Sequence, residues 1–160
     1  MMKDGSNFYP ENHFSILVVD DAQTVRTTLQ QRLAELLPIN CKVEVACDGG
    51  EALNLIIKKL ASKQHYQLIF MDAVMPVIDG YRACKEIKNR SHAPVVLLTS
   101  NGSTWNPKKA QLAKCDDYIK KPTTDADLQA IILKYVPELA GLFIAGSSNM
   151  WPHGLAAASP

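Results

Sequence analysis

The chain has 160 residues, 47% of them apolar and 21% charged, with a formal net charge of +1. That length suits one globular domain with short flanks, and near-neutrality excludes a field strong enough to draw the whole chain onto nucleic acid or an anionic membrane. Cys41, Cys47, Cys84 and Cys115 form no C-x-x-C pair and His13, His65, His92 and His153 are scattered, so no metal finger is predicted. The cysteines read as reduced, small apolar residues. The N-terminus lacks an apolar signal core and no apolar run is long enough to span a bilayer, so a soluble, cytoplasmic protein is expected.

Residues 1–13 form a polar flank. Residues 16–19 are a continuous apolar run that ends at Asp20 and Asp21, the pattern of a strand covered on both faces of a parallel sheet. Val25, Leu29, Leu33 and Leu36 then recur at helical spacing, and Pro38 stops that helix. Residues 42–46 alternate, with Val43 and Val45 as the buried face of a second strand. Asp48 and Gly49 turn the chain into a second helix, with Ala52, Leu53, Ile56, Ile57 and Leu60 as its apolar stripe. A third run, 68–71, ends at Asp72. Asp79 is the expected N-cap of a helix through Arg90, with Ala83, Cys84 and Ile87 facing inward. Pro94 precedes a fourth strand over 95–98, which ends at Thr99. A loop with Gly102, Trp105 and Pro107 leads into a short helix over 108–114. Tyr118 and Ile119 mark a fifth strand, closed by Lys121-Pro122. Thr124 with Asp127 resembles a capping box, opening a last helix with the stripe Leu128, Ile131, Ile132 and Tyr135. Residues 138–160 are read as a tail or the start of a linker, rich in Gly, Ser, Ala and Pro.

Five strands alternating with five helices predict a doubly wound parallel α/β sheet with helices on both faces. Asp20, Asp21, Asp72, Thr99 and Lys121 all fall directly after apolar runs. In such sheets ligands bind beyond the carboxyl ends of the strands, where strand order reverses. A single acid there is as well explained as a cap or turn residue; five polar residues at one sheet edge are not. Three close carboxylates repel unless a cation neutralises them, and oxygen donors without thiol or imidazole suit Mg²⁺. A carboxylate beside that ion can attack phosphorus and form an aspartyl phosphate. Lys121 would offset charge on the transferring group, and the Thr99 hydroxyl would hydrogen-bond one of its oxygens.

Four motifs in order, Ile16-Leu17-Val18-Val19-Asp20-Asp21, Asp72-x-x-Met75-Pro76-x-x-Asp79-Gly80, Thr99-Ser100 and Asp117-Tyr118-Ile119-Lys120-Lys121-Pro122, make the sequence resemble the receiver domains of bacterial response regulators. The resemblance covers 14–137 and implies a flavodoxin-like, five-stranded sheet of order 2-1-3-4-5. It implies that Asp72 accepts phosphate from a histidine kinase or phosphotransfer protein. Asp21 and Asp72, with the backbone carbonyl of Val74, would hold Mg²⁺, and Asp20 would act mainly through water. Lys121 would pair with the phosphoryl group, the Lys121-Pro122 peptide bond would be cis, and Lys120 would point away. Tyr118 would be an aromatic switch that turns inward as Thr99 moves. A downstream protein would bind the face made by the fourth helix, fifth strand and fifth helix. The stretch 80–89, with the later Cys-Asp-Asp-Tyr, further resembles single-domain regulators of twitching motility. Lys114-Cys115 stands where the family often has Gly-Ala.

Other functions fit less well. A phosphatase with an aspartyl nucleophile needs a second acid two residues on, where Val74 stands, and no G-x-G-x-x-G follows the first strand for a dinucleotide. The expected activity is self-catalysed phosphoryl transfer and loss, not turnover of a separate substrate. A phosphate-independent docking module is the alternative. Too few residues follow Val136 for a DNA-binding domain, so direct DNA binding is not expected: the chain acts alone on protein partners or is the receiver fragment of a larger regulator with a missing output domain. Val74 and Asn101, two residues beyond Asp72 and Thr99, offer no carboxylate to orient an attacking water, which predicts a long-lived phosphate.

Overall fold

The computed structural model describes residues 14–38, 40–100 and 105–140. The elements run β1 (Phe14–Val19), α1 (Gln23–Leu36), β2 (Cys41–Ala46), α2 (Gly49–Ala61), β3 (Leu68–Asp72), α3 (Gly80–Lys88), β4 (Val95–Thr99), α4 (Pro107–Ala113), β5 (Asp117–Lys120) and α5 (Asp125–Tyr135). All strand pairs are parallel and the sheet order is β2-β1-β3-β4-β5, so the order reverses between β1 and β3.

Strand alternation divides the core into two layers. Leu17, Val19, Ile69, Met71, Val95 and Leu97 face α2, α3 and α4, where they meet Ile56, Cys84, Ile87 and Ala113. Ile16, Val18, Leu68, Phe70, Val96 and Leu98 face α1 and α5, against Leu29, Leu33, Leu128 and Ile132. Every residue of β3 and β4 is buried, which is why both strands read as uninterrupted apolar runs.

Local chemistry sets the element ends. Asp48 caps α2 by accepting from the Glu51 N–H, Asp79 caps α3 through the Arg82 N–H, and Asn106 caps α4 with Pro107 in its first turn. The Thr124–Asp127 capping box opens α5 as expected. Lys114, in the left-handed region with φ 58°, closes α4.

Four details depart from the sequence reading. Val43 and Val45 are half-buried, because β2 is an edge strand with a single neighbour. Ile57 and Leu60 are exposed, while Ala52 and Ile56 of the same helix, with Leu53 and Leu55 packed against them, meet the core. Helix α3 stops at Lys88, before Arg90. The core also continues past 137: Leu139 is fully buried in the α1–α5 layer.

Gly80 fixes α3 against β3. A Cβ there would run into the Asp72 carbonyl oxygen and lie 2.9 Å from the Ala73 Cα, both backbone atoms that have little room to give. The Gly80 N–H donates to the Ala73 carbonyl at 3.0 Å. Gly80→Ala is therefore expected to destabilise the chain by on the order of 3 kcal/mol, the upper part of the range for overpacking, read as a lower urea midpoint. An unchanged midpoint would show that the contact relaxes freely.

Candidate functional site

The strand ends converge as the apolar runs implied. Asp20 directly follows β1, Asp72 ends β3, Thr99 ends β4 and Lys121 directly follows β5. Asp20, Asp72 and Thr99 are buried at 1%, 6% and 1% exposure, while Asp21 is open to solvent. One carboxylate oxygen from each of Asp20, Asp21 and Asp72 lies within 4.8 Å of the others.

The Lys121 ammonium sits between two of these acids, 2.8 Å from Asp20 Oδ2 and 3.3 Å from Asp72 Oδ1. The other Asp20 oxygen, Oδ1, accepts from the Ala22 N–H at 2.9 Å, in the turn that leads into α1. Asp72 Oδ1 also accepts from the Val74 N–H at 3.3 Å. The Thr99 hydroxyl donates to the Ile119 carbonyl at 3.4 Å, and the Lys121 N–H donates to the Thr99 carbonyl at 2.7 Å. These bonds fasten the end of β4 to the end of β5. Lys121-Pro122 is cis, and Lys120 is exposed on the other side of the strand.

Sequence reasoning missed Arg26. Its guanidinium donates to the backbone carbonyls of Asp20 at 2.8 Å and Asp21 at 3.1 Å, which holds the acidic pair in place. A basic residue in the first turns of the helix after the acids was the available signal. The loop after β3 turns tightly at Val77, which has φ 69° and is 98% exposed, with the Ile78 N–H bonded to the Pro76 carbonyl at 2.8 Å. Asn101 lies outside the described residues. Tyr118 is turned outward, 38% exposed, and its ring stacks on Trp105 with centroids 3.9 Å apart.

Electrostatics oppose ionisation of Asp72. Burial pushes its carboxyl pKa up, Lys121 pulls it down and Asp20 pushes it up again; the net shift is upward. Burial works against the Lys121 ammonium, but the Asp20 and Asp72 carboxylates outweigh it and hold its pKa above the usual lysine value. The donor set is oxygen throughout, crowded and only partly neutralised by one ammonium, which fits a small divalent cation such as Mg²⁺.

The fold and this crevice place the chain among the doubly wound α/β proteins that carry an acidic site beyond the carboxyl ends of their strands, and the comparisons with known proteins narrow that class. The family model for the response regulator receiver domain matches residues 16–133, and the chain belongs to that family, which works in two-component signalling. It is 34% identical over 125 residues to Protein PilG of Pseudomonas aeruginosa, covering 76% of this chain and 87% of that one. It is 35% identical over 121 residues to a probable transcriptional regulator, ycf27, of Cyanophora paradoxa, of which the match spans 47%. The receiver domain of a sensor histidine kinase from Pseudomonas aeruginosa, solved with a magnesium ion coordinated in its active-site cleft, superposes with a TM-score of 0.65 at 29% identity, covering 79% of this chain and 99% of that one. No helix among the described residues is long and apolar enough to cross a membrane.

A raised carboxyl pKa carries a sign. Asp72 adds stability below its unfolded pKa, where it is protonated in both states, and that contribution is lost as pH rises through the higher folded value. In metal-free buffer at neutral pH, Asp72→Asn should therefore raise the thermal midpoint. The gap should close in acid. A midpoint lowered by the substitution at neutral pH would contradict it.

Proposed function

We propose that this chain is a phosphorylation switch in which Asp72 accepts a phosphoryl group from a histidine kinase or phosphotransfer protein. The observation that carries the reading is the meeting of Asp20, Asp21 and Asp72 within 4.8 Å, with Lys121 bonded into the same cluster. Mg²⁺ held by Asp20, Asp21, Asp72 and the Val74 backbone carbonyl would neutralise the acids and the incoming phosphoryl charge. Asp20 has both oxygens engaged by Lys121 and Ala22, which supports a role through water for it and direct ligation by Asp21 and Asp72.

The Asp72 carboxylate oxygen attacks phosphorus, and the leaving group departs with the former phosphorus–ligand electron pair. Lys121 exchanges carboxylate for phosphoryl oxygens and stabilises their charge. Thr99 gives up its bond to the Ile119 carbonyl, 3.4 Å long, to donate to a phosphoryl oxygen. That movement frees space beside β5, into which Tyr118 turns. The changed face of α4, β5 and α5 then binds a downstream protein. A groove lined by Thr24, Val25, Thr28, Leu29, Arg32 and Lys121 opens beside the acids and gives a phosphodonor protein a surface along α1.

Incubation with Mg²⁺ and acetyl phosphate should add one phosphoryl group to Asp72, and Asp72→Asn should abolish the mass gain. An unmodified wild-type Asp72 would leave a phosphate-independent docking module as the reading. Lys121→Ala should slow labelling on the order of 100-fold, as for loss of one charge-stabilising donor at a reacting centre.

The Val74 side chain is 54% exposed beside the acceptor and carries no group to orient water. The phosphorylated form should therefore persist for minutes or longer without a phosphatase, followed by loss of the adduct mass. Decay within seconds would contradict this.

A further inference from the structure

Two thiols outside the acidic crevice meet the same end of α4. Cys84 lies on the inner side of α3, fully buried, and Cys115 follows the left-handed turn at Lys114 that ends α4. The Cys84 thiol lies 3.5 Å from the Ala113 carbonyl, and the Cys115 N–H returns to the Ala110 carbonyl at 3.0 Å. The turn thus folds Cys115 back over the helix end that Cys84 touches. Both residues pack into the α2–α4 core layer, Cys84 within it and Cys115 against its edge. The ion pair of Lys88 and Asp116, one helical turn and one residue further along, ties the same two segments together.

We propose that Cys84 and Cys115 form a redox-active dithiol that closes to an intramolecular disulfide under a two-electron oxidant of the peroxide class, tethering α3 to the α4–β5 connection. The other two cysteines are placed differently. Cys41 and Cys47 bracket the edge strand β2 at the opposite side of the sheet, Cys41 against the other core layer and Cys47 in solvent.

The two thiols have distinct roles. The neighbouring Cys84 thiol is the largest cause that holds the Cys115 thiol below its ordinary value, and the Lys88 ammonium adds to it. Cys115 in turn, with burial, raises Cys84. Cys115 is also the more accessible of the two, so it reacts first as the thiolate. Its sulfur attacks one peroxide oxygen, the O–O bond breaks, and hydroxide leaves and is protonated to water; Cys115 becomes a sulfenic acid. The Cys84 sulfur then attacks the Cys115 sulfur. The S–S bond forms, the S–O bond breaks, and the Cys84 proton leaves with the hydroxyl as a second water. Each sulfur is oxidised by one electron and the peroxide is reduced by two.

The full chain is treated with hydrogen peroxide, remaining thiols are alkylated, and the protein is digested with trypsin under non-reducing conditions. The expected product links the peptide Ala83-Cys84-Lys85 to the peptide that begins at Cys115, with loss of two hydrogens, and dithiothreitol separates the two. The Cys41→Ser/Cys47→Ser variant should give the same product, because neither residue takes part. Cys84→Ala should leave Cys115 as a sulfenic acid that dimedone traps. Cys115 driven to sulfinic acid while Cys84 remains alkylatable would overturn the proposal, as would a bridge in the wild-type chain that joins Cys41 or Cys47 instead.

Discussion

An ammonium between two buried carboxylates is the constraint on which the rest depends. Lys121 lies 2.8 Å from Asp20 and 3.3 Å from Asp72, where the unpaired acids would each cost several kcal/mol. The three residues come from the ends of β1, β3 and β5, so the arrangement requires the order β2-β1-β3-β4-β5 and the register that brings those ends level. One cation cannot balance Asp20, Asp21 and Asp72 together, and the residual negative charge defines what the crevice attracts. The core and the site are thus linked in a definite way: the apolar strands supply convergence, and the polar residues just past them supply charge.

The backbone around the acids is equally constrained. Asp72 is followed by a loop that must return to Gly80 without a side chain between helix and strand, since any Cβ there meets the Asp72 carbonyl. Arg26 holds the carbonyls of Asp20 and Asp21 from the other side. Asp72 and its neighbours are therefore held through their backbone atoms, which leaves the carboxylates and the Lys121 side chain as the parts that can rearrange.

Strand ends were legible in the sequence because burial on both faces forces a run of apolar residues, and the first charged residue after it marks the edge. This located Asp20, Asp21, Asp72, Thr99 and Lys121 without knowledge of their contacts. Features that depend on a neighbour's position were not legible. Ile57 and Leu60 share helical spacing with Ile56, yet only strand order tells that nothing covers them. Val43 and Val45 alternate like core residues although β2 has a single neighbour. The role of Arg26 depends on where α1 begins relative to β1, which spacing alone does not give. Cys84 and Cys115 looked like unrelated apolar residues, because the turn at Lys114 that brings them together has no glycine to announce it.

The stacked rings of Trp105 and Tyr118 have a practical consequence. Indole emission is sensitive to an adjacent aromatic ring, and a separation of 3.9 Å places the two π-systems in contact. Any rearrangement that carries the Tyr118 ring away from β5's outer face must break that overlap and alter the fluorescence of Trp105. The molecule therefore holds an intrinsic optical gauge of the state of its own β5 surface, with no dye or label added.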